Sequence, residues 1–243
     1  MSKAILGEFG KKLRVEGLPF LSPGEALETS AASLTATILC RRHNEALSPL
    51  DQEAKIFFTQ LRDGGHDLDR KSLSRKPTFH LASGQMIELW MLKVACGLFH
   101  SVGAANDRQL LRTISDVDLG KATRALFENR WDDRAGMYFM GDTGQSFVMS
   151  PDIMLAPLLE DRTNRFCGVQ MSLLGYMFSL LFDDQALSAW PWPGYIRRPS
   201  ELVLSGNRRS HHFLMSWPAG YPDIIVNMHR RKGRPPPDAR PPR

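Results

Sequence analysis

Cysteine is scarce, with three in 243 residues, at Cys40, Cys96 and Cys167. An odd number so widely separated builds no disulfide framework and points to a reducing compartment. No stretch reaches the roughly 18 uninterrupted apolar residues that a membrane-spanning helix needs, so no membrane partner is expected. The first 15 residues, with Lys3, Lys11, Lys12 and Arg14 spread through them, lack the compact apolar core and small-residue cleavage site of a signal peptide. The expected location is cytoplasmic. No internal repeat is present.

Charge of one sign is missing from most of the chain as well. The formal net charge is +5, yet all of that excess resides in the tail from His229 to Arg243. There Arg230, Arg231, Lys232, Arg234, Arg240 and Arg243 face a single acid, Asp238, and acids balance bases everywhere else. The prolines at 235, 236, 237, 241 and 242 deny the tail a fold of its own. It either binds phosphates without sequence preference, through counterion release, or stays a solvated extension. A high isoelectric point caused by a tail says little about the body.

What is there is an ordinary globular balance, 42% hydrophobic and 23% charged residues, enough for one sizeable core or two small ones. The sequence divides into a motif-bearing region (1–65), an α+β region (66–228) and the basic, proline-rich tail (229–243). Leu34 to Leu39 alternates in a strand-like way. Ser48 is a candidate helix cap with Pro49 at the first helical position, and Ala54, Phe57, Phe58 and Leu61 recur at helical spacing until Asp63-Gly64-Gly65. Gln85 to His100 is apolar nearly all round, as a buried central helix should be, and Asp116 to Asn129 reads as an amphipathic helix capped by Asp116 or Asp118. Strand patterns follow at 137–140, 146–155, 166–182, 201–204, 212–217 and 223–227, with Leu173-Leu174-Gly175 able to bend a strand or open a helix. The fold class expected is α+β.

The chemically informative segment runs Leu39-Cys40-Arg41-Arg42-His43-Asn44, then Leu47-Ser48-Pro49-Leu50-Asp51. A Cys and a His three positions apart can turn a thiolate and an imidazole toward one ion, which is half of a tetrahedral zinc site. A second pair is required. Cys96 and His100 lie one turn apart in the apolar helix, where a packed cysteine near a histidine is the simpler account.

This segment resembles the distal part of the HNH-type endonucleases of the ββα-metal class, and Ser2 to Gly7 is similar to the stretch that follows their catalytic Glu-His. The resemblance implies a partial ββα-metal region at the N-terminus, with a helical middle and a β-rich C-terminal part beyond it. It implies Cys40 and His43 as structural zinc ligands, and Asn44 beside a catalytic magnesium or other divalent ion. It also places Met1 just past the residue that would be the general base. Two functions follow as expectations: metal-dependent hydrolysis of phosphodiesters, in DNA, by a complete form of the motif, or an inactive module that binds nucleic acid or protein. Another histidine could stand in as base, with His66 and His80 nearest in sequence, both read as solvated loop residues.

The residues expected to meet a nucleic-acid backbone are Arg41 and Arg42 in the motif, Arg208 and Arg209 in an expected hairpin loop running to His212, and Arg230, Arg231 and Lys232 at the tail. Glu88 and Lys93 read as two separate charges at the edge of the apolar helix. Trp131-Asp132-Asp133 and Asp183-Asp184 read as exposed turn acids. The aromatic loop Trp190 to Pro193 reads as a cap over the core or a partner-binding patch.

Overall fold

The computed structural model describes residues 12–16, 21, 25–30, 41–70, 76–101, 119–140, 145–159, 166–183, 194–218 and 223–231. Cys40, Lys232, the strand expected at Leu34 to Leu39, the caps Asp116 and Asp118, Asp184, the Trp190 loop, the segment Ser2 to Gly7 and the tail from 232 onward lie outside these residues.

The order of elements is β1 (Lys12–Glu16), β2 (Ala26–Ser30), α1 (Arg41–Ala46), α2 (Ser48–Asp67), β3 (Thr78–Ser83), α3 (Gly84–Ser101), α4 (Leu119–Glu128), β4 (Gly136–Met140), β5 (Gln145–Phe147), β6 (Ile153–Leu159), β7 (Phe166–Leu173), β8 (Tyr176–Leu181), β9 (Tyr195–Arg197), β10 (Glu201–Gly206), β11 (Arg209–Ser216) and β12 (Ile225–Arg230). The strands form two mixed sheets. The larger runs β2-β1-β6-β7-β8-β4-β9 and the smaller β3-β11-β10-β12-β5. The class is α+β, as the sequence leads one to expect.

One apolar core joins both sheets through α2 and α3. Phe57 of α2 meets Phe178 of the larger sheet and Phe213 of the smaller, at 6.4 and 6.0 Å between ring centres. Phe58 packs on Trp90 of α3 and on Phe178. Each of these rings is essentially inaccessible; burying such a side chain contributes roughly 1.5–3 kcal/mol. The apolar run of α3 is therefore a central helix, with Ile87, Trp90, Met91, Leu92, Val94 and Ala95 all buried.

Several boundaries differ from the sequence reading for physical reasons. Helix α2 does not stop at Gly64-Gly65 but continues to Asp67. A Cβ on Gly64 would lie 3.2 Å from the His211 ring, and one on Gly65 would lie 2.5 Å from the Met149 sulfur. The glycines are there to let two neighbours approach the helix, and they do not end it. Ser48 is already helical and makes no cap; Leu47 occupies the capping position without a side-chain bond, so Pro49 is the second helical residue and not the first. The run 146–155 is two strands in different sheets, parted at Ser150-Pro151 where Pro151 has no N–H to give a ladder. The run 166–182 is a β7–β8 hairpin. Leu174 and Gly175 form its two-residue turn at φ 56° and 84°, and a Cβ on Gly175 would sit 1.9 Å from the Val148 carbonyl oxygen.

Candidate nucleic-acid interface

Arg41, Arg42, His43 and Asn44 of the motif fall in α1, a six-residue helix immediately before α2. Arg42, His43 and Asn44 are exposed there, and the His43 ring packs against Phe127 of α4 at 5.8 Å. The side chain of Arg41, like Cys40, is outside the described residues. Two donors, His43 and Asn44, do not complete a coordination sphere. Among the described residues no group of three His, Cys, Asp or Glu side chains stands together in a way that would hold an ion.

The other cationic residues singled out in the sequence come together at the opposite end of α2. Strands β10 and β12 end beside the C-terminus of that helix: a Cβ on Gly206 would lie 3.0 Å from Arg230 Cβ and 3.4 Å from Leu68 Cβ. Asn207 Nδ2 donates to the Leu68 carbonyl at 2.8 Å. Arg209 donates to Asp67, and Arg230 donates to Asp69 at 2.8 Å while its guanidinium lies 5.7 Å from the centre of the Phe147 ring. The N–H of Arg231 donates to the Phe147 carbonyl at 2.9 Å. Arg208, Arg231 and Arg70 remain exposed, with no acidic partner among the described residues. Five arginines thus lie near two aspartates at the C-terminus of α2, where the helix dipole favours cations.

Arg208 is not the tip of an open loop. With Asn207 it forms a tight two-residue turn, at φ 67° and 44°, and Arg209 is already in β11. Non-glycine residues enter this left-handed region at a cost, and Arg carries no side chain that repays it locally as Asn does. Arg208 is exposed at this turn.

Beneath the arginines runs a chain of hydrogen bonds. Asp67 Oδ2 is 3.2 Å from His211 Nε2, and His211 Nδ1 is 3.1 Å from His80 Nε2. The imidazoles stack at 16°, and His80 lies flat on Phe213, with ring centres 4.5 Å apart. His211 is buried and His80 half-buried. Burial opposes ionisation of Asp67, but hydrogen bonds from Arg209 and His211, and their charges, outweigh it and hold the carboxyl below its usual range. Burial, joined by the charge of His211, holds His80 below its usual value. Neither candidate substitute base is a loop residue. His66 is in the last turn of α2, about 27 Å along the axis from Ser48 at 1.5 Å per residue. His80 is in β3, tied through His211 to that same end and so parted from the α1 motif.

Two acids read as solvated have structural partners. Asp183 is buried, and with Asp132 it accepts from Lys121, each at 2.7 Å. Burial opposes the Lys121 charge, but the two carboxylates raise its affinity for the proton overall. Glu88 is not an edge charge but lies in the core, bonded to Arg198. Lys93 reaches Asp51 of α2 at 2.7 Å. Burial pushes the Cys96 thiol up to about 11, so it is inert at neutral pH. The Asp67, His211 and Arg70 contributions were not visible in sequence, because they arise where a helix end meets a strand 144 residues later.

Compared with known proteins, the chain matches no family model, no curated protein and no solved structure. Among the described residues no helix is long and apolar enough to cross a membrane.

Proposed function

We propose that this chain is a nucleic-acid-binding protein of HNH-endonuclease descent, which grips a phosphodiester backbone, DNA in the first instance, at the arginine-rich end of α2. The observation that carries the reading is the convergence of Arg70, Arg208, Arg209, Arg230 and Arg231 around that helix end. Arg209 and Arg230 are anchored by aspartates, whereas Arg208, Arg231 and Arg70 present their charge outward. Lys232 and the tail's arginines add further positive charge after Arg231 in the sequence. Phosphate contacts of this kind position a duplex without reading its sequence. Binding of a labelled duplex by the full chain should weaken steeply with salt. Salt-insensitive or absent binding would remove the reading.

A second reading, favoured by the string Cys40-Arg41-Arg42-His43-Asn44 with Leu47 to Asp51, is metal-dependent phosphodiester hydrolysis at α1. Cys40 and His43 would be zinc ligands there, and Asn44 would stand beside a catalytic magnesium; Arg41 and Arg42 would meet the backbone. The metal would supply stabilisation of charge on the phosphate and the leaving oxygen. Magnesium-dependent nicking that disappears in Asn44→Ala supports this reading. Nicking that survives the substitution contradicts it.

A further inference from the structure

We propose that His80, oriented by His211 and Asp67, is the proton-accepting residue of a ribonucleolytic site beside the arginine cluster. The inference rests on that cluster holding a phosphodiester, and it adds a substrate class and a reacting atom.

An ionised carboxylate only accepts, so the proton between Asp67 Oδ2 and His211 Nε2 belongs to the imidazole. In the tautomer that serves as base, His80 Nε2 carries the proton and donates to His211 Nδ1. His80 Nδ1 is left with a bare lone pair, and it has no hydrogen-bond partner among the described residues. Phe213 and His211 fix the plane of the ring, and β3 is the edge strand of its sheet, so the half-buried His80 is reachable from one side. With its proton affinity lowered chiefly by burial, the ring stays unprotonated at neutral pH.

An unprotonated imidazole joined to Arg209 through His211 and Asp67 suits a substrate that carries its own nucleophile. RNA does. His80 Nδ1 takes the proton from a 2′-hydroxyl; the O2′–P bond forms and the P–O5′ bond breaks, leaving a 2′,3′-cyclic phosphate and a 5′-oxygen. The proton on His80 returns to that oxygen, directly or through water, so nothing is oxidised or consumed. Of the arginines, Arg209 is the one tied to this relay, through Asp67, and its Nε is buried without a hydrogen-bond partner. Asp67 and His211 are positioning residues: the carboxylate stabilises the imidazolium pair as it forms.

The test uses the full chain with a DNA oligonucleotide carrying one ribonucleotide, in excess EDTA so that metal-dependent cleavage at α1 cannot contribute. Cleavage at the ribonucleotide, with a cyclic phosphate end, is expected. His80→Gln and His80→Asn should each slow it by about 100-fold or more while binding, read by anisotropy, persists. Asp67→Asn should move the acid limb of the pH–rate profile to lower pH, because the imidazolium loses its counter-charge; a purely structural Asp67 would leave that limb in place. An uncut substrate that still binds overturns this inference and leaves the arginine cluster standing. No binding overturns both. Equal cleavage of an all-deoxy strand, or full activity in both His80 variants, also overturns it.

Discussion

Glu88 and Arg198, 110 residues apart in sequence, form a buried two-bond ion pair, with Nε to Oε2 at 2.8 Å and Nη2 to Oε1 at 2.6 Å. The same Glu88 Oε2 accepts the Met137 N–H at 2.6 Å. Arg198 lies within 6 Å of both the Trp131 and Trp217 rings, at 5.7 and 5.8 Å. Burial pushes the Glu88 carboxyl up, and the arginine works against that shift. The pair ties α3 to the start of β4 and the end of β9.

Glu88→Ala should lower stability by about 3–5 kcal/mol, because it strands a buried guanidinium. Replacing both partners, Glu88→Met with Arg198→Leu, should cost less than the single change. Urea denaturation of the three proteins measures this, and a double variant no better than the single would contradict the account.

The two glycines of α2 should respond differently to the same change. Alanine in a helix is ordinarily favoured over glycine by about 1 kcal/mol. Gly65→Ala should be close to neutral, since the Met149 thioether it meets is flexible. Gly64→Ala should destabilise, since the His211 ring 3.2 Å away is held at both nitrogens. Melting temperatures of the two variants separate the cases.

Stability should fall on acidification in two stages. His80 has a folded proton affinity below its ordinary value of 6.5, so the unfolded chain takes up the proton first and stability declines as pH drops below about 6.5. Asp67 is also held below its ordinary value, 3.8, and the stability it contributes is lost as pH falls through its lower folded value. His80→Gln should flatten the upper stage and leave the lower. An unchanged profile between pH 5 and 7 would contradict this.

The apolar periodicity of Gln85 to His100 and of Ala54 to Leu61 was legible in sequence, because burial on a helix leaves a local pattern. The arginines at 208, 209, 230 and 231 were legible as cations. That they share one end of the fold was not, since it depends on the parallel β10–β12 pairing and on α2 running past Gly65. Glycine is an ambiguous sign: it ends a helix or admits a neighbour, and only His211 and Met149 decide which. Glu88 in an apolar helix read as an edge charge for the same reason, its partner being far along the chain.

The salt dependence of nucleic-acid binding tests the central claim most directly. The slope of log affinity against log salt for a labelled duplex counts the phosphates neutralised, and Arg208→Ala and Arg231→Ala should each reduce it by about 1. Slopes that match the unmodified protein in both variants would contradict a backbone grip at this end of α2.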